Sequence, residues 1–272
     1  MRLYLTHAGA ALELDGRFMM LPDAWDALVN RDDLAGYLRS VSMRAATEQL
    51  HSKPRAPVVS QEVWAAGVTS WRSRAARIEE SKDTGGGTFY DRVYEAERPE
   101  IFFKSAGWRV RGSGETIRVR RDSRWTVPEP ELALYVNASG SIIGYTIAND
   151  VSSRDIEGEN PLYLPQAKTY DGSCALGPAV LVAEEPLSGD TSIDIRIMRG
   201  GATVFSGSTT LSQMRREPEG LVEFLYRETS FPMGCVLLTG TGVVPPDDFT
   251  LQSRDEVTIT IPPIGSLVNT VE

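Results

Sequence analysis

Trp125-Thr126-Val127-Pro128-Glu129-Pro130-Glu131-Leu132-Ala133-Leu134-Tyr135-Val136 runs into Asn137-Ala138-Ser139-Gly140 and out through Ser141-Ile142-Ile143-Gly144-Tyr145-Thr146-Ile147-Ala148-Asn149-Asp150. Two strand-like runs flank a four-residue turn signal, which predicts a β-hairpin. With the turn centred between Ala138 and Ser139, Glu131 faces Thr146, Glu129 faces Ala148 and Val127 faces Asp150. Cross-strand partners share a face, and so do residues two apart on one strand. Pro128, Pro130, Leu132, Leu134, Val136, Ile143, Tyr145 and Ile147 therefore form an apolar face that reads as core. The opposite face carries Glu129, Glu131 and Asp150 among the small Ala133, Gly144, Thr146 and Ala148. Diagonal cross-strand neighbours lie about 7–8 Å apart, so three carboxylates here can converge on one ion. Crowded anions repel unless a cation neutralises them. All-oxygen ligation suits Mg²⁺, Mn²⁺ or Ca²⁺ rather than zinc. The same pattern also describes the solvated outer face of a hairpin. A bulge or an odd-length turn would carry Asp150 to the wrong face.

Around the hairpin, strand patterns occur at 132–136, 141–147, 179–183, 192–198, 236–239 and 256–261. Leu221, Phe224 and Leu225 mark one amphipathic helix by their i, i+3, i+4 spacing. Strands and helices do not alternate regularly, which argues against a doubly wound parallel sheet and for an α+β protein with a β-rich body. Residues 1–57 read as a small N-terminal domain, closed by Ser52-Lys53-Pro54-Arg55-Ala56-Pro57, whose two prolines disfavour helix. Residues 58–272 then form the main domain. Residues 71–82 are polar and helix-compatible, and lead into the flexible Asp83-Thr84-Gly85-Gly86-Gly87-Thr88, read as a surface loop or a lid. Glu100-Ile101-Phe102-Phe103-Lys104 predicts a strand with Glu100, Phe102 and Lys104 on one face.

Composition narrows the function. The chain has 272 residues, 41% hydrophobic and 24% charged, which excludes disorder and collagen-like repeats. Net charge is −9, from 28 Lys+Arg against 37 Asp+Glu, which disfavours nucleic acid or an anionic membrane as partner. No run approaches the roughly 18 apolar residues of a membrane helix. The N-terminus lacks a signal-peptide pattern, and the two cysteines, Cys174 and Cys235, have no metal-like spacing; a cytoplasmic protein is expected. The only histidines, His7 and His51, exclude a multi-histidine zinc site.

Taken in order and spacing, a further set of motifs resembles the fumarylacetoacetate hydrolase superfamily over residues from about 60 to 272. They are Pro99-Glu100-Ile101-Phe102-Phe103-Lys104, Glu129-Pro130-Glu131-Leu132-Ala133, the run from Gly144 through Asp150 to Asp155, Lys168 before Gly177-Pro178, Leu238-Thr239-Gly240-Thr241-Gly242, and the ending Ile264-Gly265-Ser266-Leu267-Val268-Asn269. The resemblance implies a mixed β-sandwich roll, a homodimer or higher homo-oligomer, and a divalent ion (Mg²⁺, with Mn²⁺ or Ca²⁺ as alternatives) held by Glu129, Glu131 and Asp150. Lys168 is then the catalytic lysine.

Two departures bear on the reaction. Hydrolytic relatives carry a histidine where this chain reads Gly67-Val68-Thr69-Ser70-Trp71-Arg72-Ser73-Arg74, and Glu157 stands where many relatives have glutamine. Losing such a base removes a contribution typically worth about 10²–10⁴-fold. Glu97 to Lys104, Trp125 to Glu131 and Glu157 to Gln166 look instead like the 2-keto-3-deoxypentonate dehydratases. That branch converts a 2-oxo sugar acid such as 2-dehydro-3-deoxy-D-arabinonate to 2,5-dioxopentanoate in pentose catabolism, through a metal-stabilised enolate. The expected roles are Lys168 as base, Glu100 as acid, and Thr241, Lys104, Glu157 and Arg74 as substrate-binding residues. An acylpyruvate or fumarylpyruvate hydrolase is the alternative.

Overall fold

In the computed structural model, which describes residues 1–41, 46–70 and 92–272, the hairpin forms the middle of a nine-stranded sheet. In chain order the strands are β1 (Arg2–Thr6), β2 (Gly9–Leu14), β3 (Arg17–Met20), β4 (Glu62–Gly67), β5 (Glu100–Ala106), β6 (Thr116–Ile117), β7 (Thr126–Val127) and β8 (Pro130–Val136). There follow β9 (Ile142–Asp150), β10 (Ser152–Ser153), β11 (Cys174–Leu181), β12 (Ser192–Arg199), β13 (Ala202–Thr210), β14 (Cys235–Leu238), β15 (Glu256–Ile261) and β16 (Gly265–Val271). Among the described residues the α-helices include α1 (Trp25–Val29), α2 (Leu34–Ser40), α3 (Arg154–Glu159), α4 (Leu164–Lys168) and α5 (Pro218–Tyr226). The expected helix at 71–82 and the loop at 83–88 lie outside the described residues.

The main sheet has the order β3-β2-β1-β11-β9-β8-β14-β4-β5, and a second sheet runs β13-β12-β15-β16-β6. Pairing is antiparallel except between β14 and β4 and between β16 and β6. Leu132, Leu134, Val136, Tyr145 and Ile147 share one core with Ile193, Ile195, Ile259 and Leu267 of the second sheet and with Leu221 and Leu225 of α5. The opposite face packs Ala133, Tyr135, Ala148, Val236 and Leu238 with Trp25, Leu28, Leu34 and Leu38 of α1 and α2. Each large apolar side chain buried in these layers contributes about 1.5–3 kcal/mol. The architecture is the expected α+β sandwich, rich in strands.

Tyr135, two residues from the small Ala133 and opposite Gly144, is fully buried and needs partners for its hydroxyl. Trp25 Nε1 donates to it at 2.9 Å, and it donates to Gln61 Oε1 at 3.0 Å.

The hairpin register differs from the expected one by two residues. Glu131 faces Ala148, Ala133 faces Thr146, and the Asp150 N–H donates to the Glu129 carbonyl at 2.9 Å. One residue of the difference comes from the turn, which closes between Asn137 and Ser141 around Gly140 at φ 80°. The other comes from a bulge: Tyr135 faces Gly144 and Val136 faces Ile142, leaving Ile143 unpaired. Either shift alone would have turned Asp150 away from the glutamates, and together they restore it. The bulge also moves Ile143 to the core under α1 and α2, not the apolar face expected for it. Nor is the carboxylate face solvated; every residue of β8 is buried.

Residues 1–57, expected as a small N-terminal domain, put β1–β3 onto the main sheet, because β1 pairs with β11 (Arg2 with Leu181, Leu3 with Val180). Their side chains share one core with β8, β9 and β14.

Candidate active site

Glu129 ends the segment before β8, Glu131 lies one residue into it, and Asp150 closes β9. Pro130 takes the first position of the strand, where a missing N–H is tolerated. The three carboxylates are buried, and one oxygen from each lies within 4.8 Å of the others. That spacing fits one hard cation at metal–oxygen distances of about 2.0–2.6 Å.

Basic groups stand beside two of them. Lys168, the last residue of α4, donates from Nζ to Glu129 Oε2 at 2.7 Å and to Asp150 Oδ2 at 3.2 Å. Arg154, first in α3, donates to Glu129 Oε1 at 3.1 Å. Glu131 has no ion pair among the described residues; it accepts the Gly240 N–H at 2.6 Å. Burial first, then the charges of Asp150 and Glu129, pushes the Glu131 carboxyl well above the usual carboxylate range. A carboxyl so placed keeps its proton unless a cation replaces it. The donor set therefore fits a divalent hard ion.

Gly240 is required where it stands. Its φ is +89°, and a Cβ there would lie 2.0 Å from Thr69 Oγ1. Only a glycine lets this N–H reach Glu131.

A small cavity of about 20 Å³ opens on the carboxylates, lined also by Ala66, Gly67, Val68, Phe102, Arg154, Lys168, Gly240 and Thr241. The Phe102 ring lies 5.9 Å from Lys168 Nζ, within cation–π range. Val68 holds φ +53°, a strained conformation for a β-branched residue and one found at functional sites.

The other expected residues are placed as follows. Glu100, on β5, faces Gly67 of β4, and its buried Oε2 has no hydrogen-bond partner among the described residues. A Cβ at position 67 would lie 1.9 Å from that oxygen, so the glycine makes room for the carboxyl; Gly67 lines the cavity and Glu100 itself does not. Thr241 lines the cavity, but its hydroxyl donates to the Val243 carbonyl at 2.9 Å within the turn. Glu157 is buried, accepts from Ser152 Oγ at 2.6 Å and does not line the cavity. Lys104 does not line it either: its Nζ is bound to Asp150 Oδ1 and two carbonyls, not turned to the space a substrate would fill. Arg74 lies outside the described residues. Arg154 and Phe102 escaped the sequence reading of the site, although both stand inside quoted motifs. An arginine two to four residues beyond a carboxylate ligand was the available signal. His7 and His51 are exposed and line no part of the cavity.

Comparison with known proteins shows the family. A family model described as fumarylacetoacetate (FAA) hydrolase C-terminal matches residues 68–272. A 2-dehydro-3-deoxy-D-arabinonate dehydratase of Saccharolobus solfataricus is 46% identical over 219 residues, spanning 79% of this chain and 73% of that protein. A probable 2-keto-3-deoxyxylonate dehydratase of Haloferax volcanii is 47% identical over 216 residues, with the same coverage. Among solved structures, a 2-keto-3-deoxy-D-arabinonate dehydratase complexed with magnesium and 2,5-dioxopentanoate superposes with a TM-score of 0.82 at 36% identity, over 100% of this chain and 99% of that one. On its fold, its carboxylate hairpin and these matches, the chain belongs to the fumarylacetoacetate hydrolase family.

Proposed function

We propose that this protein dehydrates a 2-keto-3-deoxypentonate, such as 2-dehydro-3-deoxy-D-arabinonate, to 2,5-dioxopentanoate. The observation that carries the reading is the buried triad of Glu129, Glu131 and Asp150 with Lys168 against two of its members, in a cavity that no histidine lines. A divalent ion, Mg²⁺ first, bound by the triad supplies a Lewis acid for the substrate's carboxylate and 2-oxo group. Everything else is the work of side chains.

Lys168, in its neutral amine form, takes the C3 proton at Nζ; Glu129 and Asp150 hold that nitrogen at the cavity. Arg154 fixes Glu129 and adds positive charge where the acid's carboxylate would lie. Glu100 gives a proton to the C4 hydroxyl, the C–O bond breaks and water leaves. Its unpartnered buried oxygen beside Gly67 supports that role. Isomerisation of the resulting alkene through its enol leaves the C5 aldehyde. A Glu100→Gln variant keeps the shape and removes the proton; kcat falls about 10²-fold or more while Mg²⁺ affinity stays near wild type.

The test is direct. Purified protein with Mg²⁺ is given 2-keto-3-deoxypentonates of both C4 configurations, and semialdehyde is followed by coupled NAD(P)⁺ reduction. Turnover of one isomer, abolished by EDTA, is expected. Cleavage of an acylpyruvate into two acids without semialdehyde would replace this reading by a hydrolase. Buried, free Cys174 and Cys235 are consistent with a cytoplasmic setting, and no helix among the described residues is long and apolar enough to cross a membrane. A homodimer completes the proposal, to be read by light scattering.

A further inference from the structure

Lys104 is fully buried, far from bulk water, and the dehydration chemistry gives it no step. An ammonium has three N–H donors and no acceptor. Here two of them go to the Val151 carbonyl at 3.0 Å and the Lys168 carbonyl at 2.5 Å, and the charge is paired with Asp150 Oδ1, 2.6 Å from Nζ.

Each acceptor belongs to a different part of the site. Asp150 closes β9, Val151 begins the crossing to β10, and the Lys168 carbonyl ends α4, where no intrahelical N–H can satisfy it. Ser173 Oγ reaches the same carbonyl at 2.8 Å. The strand that delivers Lys104 is itself irregular. In β5, Phe103 pairs with Trp64 and Ser105 with Val63, so Lys104 is the extra residue of a bulge. Bulges re-aim side chains, and here one directs a lysine from an edge strand at the carboxylates.

We propose that Lys104 is a positioning residue, which ties Asp150 and the end of α4 into one unit and thereby sets both a metal ligand and the base Lys168. By holding Oδ1 it turns Asp150 Oδ2 toward Lys168. The proposal rests on the triad-and-lysine reading above.

Mn²⁺ titrated calorimetrically into metal-free protein tests it without any turnover. Coulomb's law alone makes loss of either lysine tighten the metal, since each removes a cation from beside the carboxylates. Positioning predicts opposite signs. Lys168→Met binds Mn²⁺ more tightly, whereas Lys104→Met binds it about 10-fold or more weakly, as expected for loss of a group that orients a ligand. At saturating metal, Lys104→Met also lowers kcat with KM little changed. Mn²⁺ affinity equal to or tighter than wild type in Lys104→Met, or a raised KM with kcat intact, would overturn the proposal.

Should Lys104→Met not fold, wild-type protein labelled with ¹⁵N-lysine decides. A buried Lys104 ammonium held by two carbonyls and paired with Asp150 gives a slowly exchanging signal that does not move when oxalate, as a 2-oxo acid mimic, is added with Mg²⁺. An absent signal, or one that oxalate shifts, refutes the role. Failure of the wild type to turn over any ketodeoxypentonate would remove the dehydratase reading and leave the Mn²⁺ comparison standing.

Discussion

Replacing Lys168 by methionine is expected to reduce kcat by about 10²–10⁴-fold, the range typical of losing a positioned proton-transfer group. The side chain is almost wholly buried, and its Nζ stands 2.7 Å from Glu129 and 3.2 Å from Asp150. Methionine is close to lysine without its head group, so packing against Phe102 survives while the proton acceptor is lost. KM should change little, because the carboxylates and Arg154 that meet the acid remain. Steady-state kinetics at saturating Mg²⁺ read both numbers. A kcat within about tenfold of wild type would show that another group removes the C3 proton.

Glu131→Gln separates metal binding from folding. Mn²⁺ affinity should fall by more than the roughly 10–100-fold that loss of a supporting partner costs, since a ligand itself is removed. Stability without metal should move the other way. Glutamine imitates the protonated acid, still accepts from Gly240, and carries no charge into the buried site. The sign follows from linkage. In wild type the folded Glu131 holds its proton well above the unfolded value near 4.5. The stability this group contributes is therefore whole below that value and is lost as pH rises toward the folded one. In EDTA the variant's advantage should grow by at most about 1.4 kcal/mol per pH unit, roughly 4 °C in Tm. Calorimetric scans of both proteins in EDTA across pH 5–8 measure the gap, and Mg²⁺ should reverse it. A gap independent of pH would mean that Glu131 is ionised without metal.

Much of this site is written locally. Alternation alone placed Glu129 and Glu131 on one face, because side-chain direction along a strand follows counting by two, whereas Asp150 joined them only because the turn and the bulge each shift the register by one. The strands at 192–198 and 256–261 were legible for the same reason. Other features depend on pairs far apart in sequence. The union of β1 with β11 joins residues some 178 positions apart, and no local pattern announces it. Strand β13 was missed because most of its residues are exposed or half-buried, leaving no apolar stripe to read. Lys104 was expected among the substrate-binding residues; only the bulge in β5 and the end of α4 reveal what surrounds it. Glu131's N–H donor, Gly240, comes from a segment 109 residues away.

The two cancelling shifts in the β8–β9 hairpin set a rule for how its gene can drift. Gain or loss of a single codon between Asn137 and Ile143 would exchange the two faces of β9 beyond it, sending Asp150 into the apolar layer and Ile147 toward the metal. Two codons gained or lost together keep every side chain on its own face and change only how far the loop projects. Length variation tolerated at this tip therefore comes in even steps, and descendants with an odd change would have to carry a second one nearby.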